Sequence, residues 1–262
     1  MNSMKISAVI AILALVIPFT ALSQGELTAL QMVENVYNRS TGNDMQSDLT
    51  MTLTNSRGEK RVRKIKQYTK DFGKSEKKIM FFQYPADVRN TSFMTWSYDE
   101  AGKDDDQWIY LPALKKEKRI SSDSKSNYFM GSDFTYDDLG DRHPSDDGHK
   151  FLGEEIVQGV TCYKVESIPK DDEYMYSRTI TWITKDQWIE LKKEFFDEDG
   201  DLLKTLAVKK YESINGFWIN LHSEMKNIQK NHSTNMELKN VKINGNIATR
   251  MFSVRMMRRG IK

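Results

Sequence analysis

IELKKEFFDEDGDLLKTLAVKKYESINGFWINLHSEMKN, residues 189–227, contains three runs of alternating apolar and polar side chains, separated at Asp199-Gly200 and Asn215-Gly216. A period of two sends successive side chains to opposite faces of a strand. Asp-Gly or Asn-Gly between two such runs supplies the positive φ of a tight hairpin turn. The segment therefore reads as three antiparallel strands, 189–196, 202–211 and 217–227, joined by short turns.

The pattern extends both ways. Upstream, 151–156 and 160–168 flank Gln158-Gly159, and 177–184 follows. Downstream, 233–243 is a last strand and 247–252 opens a short tail. Nearer the start, Leu49, Met51 and Leu53 alternate with Thr50, Thr52 and Thr54, and a turn at 55–58 leads into a basic strand at 60–68. Strands follow at 77–84, closed by Pro85, at 93–98, and at 108–111, halted by Pro112. Residues 26–39 instead place Leu27, Leu30, Val33 and Tyr37 near one helical face. Strands spaced by roughly 8–12 residues with turn signals predict a meandering antiparallel sheet curled into a barrel or half-barrel. A sheet with one apolar face needs a cover, and the few helical pieces, one at the start and one within 128–139, are what is available.

The ends and the composition bound the rest. Residues 6–21 are apolar apart from Ser7, Pro18 and Thr20, and Ala21-Leu22-Ser23 fits a small-residue cleavage site. This predicts a signal peptide at 1–23 and one domain at 24–262, exported to the periplasm. No cysteine follows the apolar run, so lipid anchoring is not expected. Cys162 is the single cysteine, which excludes an internal disulfide, and its place in an alternating strand predicts a buried thiol. A net charge of +2 with 29% charged residues describes a solubilised surface and no nucleic-acid footprint. The main local exception is the basic block Lys115, Lys116, Lys118 and Arg119, read as a solvated strand end or turn, with anionic lipid as the sharper alternative.

The alternation predicts inward sets that include Leu49, Met51 and Leu53, Met94 and Trp96, Trp182, and Ile219 and Leu221. Trp108 and Tyr110 join them as candidate cavity residues. Fourteen methionines suit an adaptable apolar interior. A packed core and an apolar ligand cavity share this periodicity, so the alternation alone leaves both open. The acid- and His-rich stretch from Asp133 to His149 matches neither an EF-hand loop nor an H-E-x-x-H site and reads as solvated loop; no metal or other cofactor is expected. Ser132 lacks the G-x-S-x-G setting of a hydrolase nucleophile, and no carboxylate pair stands out. A secreted hydrolase is therefore the weakest reading, and the chain is expected not to be an enzyme.

One stretch carries more specific information. WIYLPALKKEKRI from Trp108, followed after a polar spacer by NYFMGSDFTYDDL to Leu139, resembles the central signature of the outer-membrane lipoprotein-sorting (LolA/LolB-like) family, in its larger, transporter-associated branch. Pro85, Arg89 and Trp96 fit the segment before it. The resemblance implies an unclosed antiparallel β-barrel, mainly β with few helices, whose concave apolar face lies under a helical lid and holds acyl chains. It implies that Phe129, Met130, Phe134, Tyr136 and Leu139 belong to the lid or rim. Arg89, Arg119, Asp133, Asp137 and Asp138 are its polar signature residues, the acids capping backbone amides or pairing with Arg119. The gating Arg of the short carrier branch has no assigned counterpart here. The implied function is a periplasmic carrier of lipid or lipoprotein acyl chains, working between an inner-membrane transporter and an outer-membrane acceptor. The alternative is an accessory subunit that docks on an inner-membrane (RND-type) transporter and carries no lipid. A mobile lid further implies that Phe134→Asp weakens lipid retention more than stability.

Overall fold

The computed structural model describes residues 27–261, so the predicted signal peptide and its cleavage site lie outside the described residues. Thr28 opens helix α1 (Ala29–Tyr37) with a capping box: its hydroxyl accepts from the Gln31 amide while Gln31 reaches back to the Thr28 amide. Thirteen strands follow. They are β1 (Asp44–Thr54), β2 (Lys60–Asp71), β3 (Ser75–Tyr84), β4 (Ser92–Tyr98), β5 (Asp106–Leu111), β6 (Lys116–Ile120), β7 (Asp147–Val157), β8 (Val160–Pro169), β9 (Arg178–Thr184), β10 (Glu190–Phe196), β11 (Leu202–Ile214), β12 (Phe217–Asn227) and β13 (His232–Ile243). A short helix, α2 (Val254–Arg259), ends the chain. No helix among the described residues is long and apolar enough to cross a membrane.

All thirteen strands form one antiparallel sheet in the order β6-β5-β4-β3-β2-β1-β13-β12-β11-β10-β9-β8-β7. Two meanders meet where β1 pairs with β13, with Leu49 opposite Leu238 and Met51 opposite Met236. The edges are β6 and β7, consecutive in the chain yet unpaired with each other, so the barrel stays open. The basic block proves to be edge strand β6, with Lys116 and Lys118 opposite Leu111 and Ile109 of β5. Charged side chains on an edge discourage pairing with another chain.

Residues 121–146 run between these edges as a series of 3-10 turns, among them Phe129–Gly131, Asp137–Leu139 and Pro144–Asp146. They pack on the concave face. Phe129 is fully buried, its ring 4.9 Å from Phe93, 5.6 Å from Tyr136 and 6.0 Å from Phe82. Phe134 and Leu139 join the same core with Leu49, Met51, Leu53, Ile65 and Met80.

The convex face has its own cover. Phe252 and Met257 of the C-terminal segment bury Ile79, Phe81 and Met94, with Trp96, Trp108 and Tyr110 packed around them. The Ser92 hydroxyl donates to the Met257 carbonyl at 3.1 Å. This explains the uninterrupted run Ile79-Met80-Phe81-Phe82: Ile79 and Phe81 meet the C-terminal segment while Met80 and Phe82 meet the concave core. It also corrects the cavity assignment. Met94, Trp96, Trp108 and Tyr110 line no cavity, because the inward residues of these strands are Phe93 and Ile109. With both faces covered, polarity no longer marks which parity faces inward.

Candidate functional site

The cavity lies on the concave face between α1, the 121–146 segment and the sheet. Its volume is about 690 Å³, within the range of roughly 300–1,000 Å³ typical of ligand sites. The concave face is divided along its strands. One half carries Leu49, Met51, Leu53, Ile65, Met80, Phe82, Phe93 and Ile109 and is sealed by the Phe129 wedge. The other half carries Ser47, Gln67, Thr69, Glu76, Lys78, Thr95, Ser97 and Gln107, brought onto the same face by the β1–β5 register. The cavity opens against this polar half. Phe134, Phe195, Leu206, Ile219, Met225 and Leu238 supply its apolar wall.

Of the ten expected cavity residues, Ile219 lines the cavity. Leu49, Met51 and Leu53 are buried in the core beneath the wedge. Trp182 packs with Cys162, Ile180, Ile189 and Leu191 in a separate cluster, while its neighbours Thr181 and Ile183 line the cavity. The Trp182 ring instead lies under Lys192 and Lys164, 4.0 and 4.9 Å from their ammonium groups. Leu221 is half-buried away from the cavity. Among the five lid or rim residues, Phe134 lines the cavity; Phe129, Met130, Tyr136 and Leu139 form or flank the core below it.

The signature acids bind the wedge to the sheet. Lys204 of β11 is fully buried and pairs with Asp138, also donating to the Asp133 carbonyl at 3.1 Å. Asp138 accepts from the Thr135 amide at 2.6 Å and from the Tyr176 hydroxyl at 3.0 Å. Asp133 takes the Thr234 hydroxyl and lies against His232, each at 2.7 Å. Asp137 accepts from Tyr174, whose ring stacks under the Arg142 guanidinium at 3.8 Å. Burial, with Asp138 beside it, pushes the Asp137 carboxyl up despite the Tyr174 bond. Arg119 is not their partner. It is exposed and pairs with Asp106, because β6 places it opposite Trp108 on the far face. Arg89 is exposed, with one bond from Nε to the Gln83 carbonyl.

A second polar group also lines the cavity, formed by Glu76, Lys78, Ser97, Tyr37 and Asp141. Asp105 approaches beside Gly140, where a Cβ would collide with its carboxylate, and accepts from the Asp141 amide and the Ser97 hydroxyl, both at 3.0 Å. Burial raises Asp105 from 3.8 to about 6, and burial with the nearby Asp141, Asp71 and Asp105 carboxylates raises Glu76 from 4.5 to about 7. Burial depresses Lys78, but Asp141, Glu76 and Asp105 together outweigh it and raise its pKa. The His and Asp residues read as loop have local partners: His143 edges onto Tyr37, His149 lies 2.8 Å from Ser167, and Asp147 pairs with Arg142.

These shifts set a pH dependence. At roughly pH 4–7 the folded chain retains protons on Glu76 and Asp105 that the unfolded chain has released, so their contribution to stability falls as pH rises through that window. The melting temperature of Glu76→Gln should therefore decline less than wild type between pH 5 and 7.5. Superimposable profiles would refute the assignment.

Lys204, Arg39, Glu76, Lys78 and Asp105 were not singled out from the sequence. Lys204 had a legible signal: it sits on the parity of Leu206 and Val208, where a lysine is out of place. Asp105 sits between Asp104 and Asp106 with nothing local to set it apart, and Arg39 lies two residues past a helix.

A family model described as a family of uncharacterized proteins matches residues 74–259. A DUF1329 family protein from Desulfovibrio piger superposes with a TM-score of 0.82 at 30% identity, over 87% of this chain and 97% of that one. A domain assigned to outer membrane lipoprotein sorting, from Vibrio parahaemolyticus, gives 0.82 at 31%, over 88% and 98%. A LolA superfamily protein from Nitrosomonas europaea shares the fold with a TM-score of 0.67 at 17% identity, over 87% and 99%. No curated protein matches the chain.

Proposed function

The chain belongs to the DUF1329 family of outer-membrane lipoprotein-sorting-like proteins with the LolA fold, and from that premise we propose that it is a periplasmic carrier of lipid or lipoprotein acyl chains. The observation that carries this reading is the cavity of about 690 Å³ under α1, with an apolar wall of Phe134, Phe195, Leu206, Ile219, Met225 and Leu238. Each methylene withdrawn from water is worth ~0.8 kcal/mol, so a chain of ~15 carbons costs on the order of 10 kcal/mol to expose. A soluble carrier must replace that burial with protein surface. The partners of such a carrier are an inner-membrane transporter that loads it and an outer-membrane acceptor.

Native mass spectrometry of periplasmic protein, purified without detergent, tests this. A co-purifying mass that extraction identifies as lipid is the expected result. Lipid-free protein that also fails to take up a fatty acid would overturn it in favour of a transporter-docking subunit. The Trp218 ring packs with Tyr211 away from the apolar wall, so displacement of a bound fluorescent apolar probe is the reporter of filling.

A further inference from the structure

We infer that Arg39 is an anion seat inside the cavity, and that the carried amphiphile has an anionic oxygen head, a carboxylate or a phosphate, held there. This rests on the carrier reading and names the ligand class it requires.

Arg39 lies two residues beyond the end of α1 and lines the cavity. Its guanidinium Nη1 donates to the Trp218 carbonyl, while its Nε is buried with no hydrogen-bond partner among the described residues. No described carboxylate forms an ion pair with it. The nearest acid felt by Arg39, Glu190, is engaged by Lys193 at 3.3 Å. Glu190 is shared with Lys193, so Arg39 has no carboxylate of its own. Burial pulls its pKa down, with Glu190 only partly offsetting that, yet an arginine stays charged in a protein. Arg39 is half-buried with its Nε shielded from solvent; a partly desolvated cation without its own counter-charge is costly, and a ligand oxyanion removes that cost with a charge-assisted, planar contact that suits guanidinium geometry.

Two further cavity groups are unsatisfied. The Asn220 amide oxygen and the Thr69 hydroxyl are buried without partners. Ile219, adjacent to Asn220, begins the apolar wall that a hydrocarbon tail would follow. Head and tail sites therefore share one cavity.

The test uses delipidated full-length mature protein and three ligands with the same chain: dodecanoate, dodecyl phosphate and dodecanol, titrated by displacement of a bound fluorescent apolar probe and checked by native mass spectrometry. Wild type should bind at least one of the two anions about tenfold or more tighter than dodecanol, the size of one charge-assisted hydrogen bond. Whichever anion wins identifies the head. Arg39→Gln should remove that preference while leaving dodecanol affinity unchanged, and Arg39→Lys should keep part of it. Equal affinity for anions and alcohol in wild type, or a preference that survives in Arg39→Gln, overturns the anion seat while leaving the carrier reading intact. Binding of none of the three removes both. If Arg39→Gln does not fold, Arg39→Lys and the wild-type comparison still decide.

Discussion

Lys204→Ala should destabilise the protein by about 3–5 kcal/mol, the usual cost of removing one partner from a buried ion pair. Lys204 has no solvent exposure, and Asp138 beside it is almost as deeply buried. Its ammonium group also lies 5.1 Å from the rings of both Tyr176 and Phe195. Truncation strands the Asp138 carboxylate in the core, still facing Tyr176 and the Thr135 amide. For a chain of this size the loss corresponds to a melting temperature lowered by roughly 10 °C. Combining Lys204→Met with Asp138→Asn should recover much of it, because the stranded charge is gone and the amide oxygen still accepts. Equilibrium urea unfolding of wild type and the two variants measures this. A double variant no more stable than Lys204→Ala would mean that the charge pair is not what binds the wedge to β11.

Phe134→Asp should collapse the fold or cost more than about 4 kcal/mol, combining the loss of a buried aromatic with a carboxylate placed in the core. Phe134 is 6% exposed, and its carbonyl accepts from the Phe129 amide at 2.7 Å. This replaces the expectation of a freely moving lid, on which the same substitution would spare stability and weaken lipid retention. The wedge is tied down by Lys204, Tyr174, Tyr176 and Thr234, and its aromatics fill the apolar half of the concave face. Phe134→Leu, which keeps apolar bulk, should fold and serves as the control. Near-wild-type melting of Phe134→Asp with reduced lipid uptake would restore the lid.

The cavity is amphipathic where strand alternation predicts an apolar one. That expectation came from apolar residues at one strand parity, and parity says nothing about position along a strand. Leu49, Met51 and Leu53 end in a sealed core, while Ser47 on the same face of the same strand lies in the polar half. Likewise Met80 and Phe82 are core, and Glu76 and Lys78 further back along β3 face the cavity.

Much was nevertheless set by local sequence. The meander follows from a period of two interrupted by Gly-containing turns; Asn215 adopts φ 51° and Gly216 φ 86° at the expected hairpin. The meandering sheet, the starting helix and the buried Cys162 were all legible in this way, since turns and alternation depend on near neighbours in the chain; that the barrel stays open was implied by the family resemblance. Which face each strand turns inward was not. The C-terminal segment makes the convex face as apolar as the concave one, so Met94, Trp96, Trp108 and Tyr110 carry no mark of the side they take. Nor were the partners of the signature acids legible: Asp138 finds Lys204 and Asp133 finds His232 across 66 and 99 residues. Those pairs, and the cavity beside them, exist only because two unpaired edge strands leave room for the segment between them to fold back onto the sheet. Long-range burial of charge is decided by that packing and by nothing local in the chain.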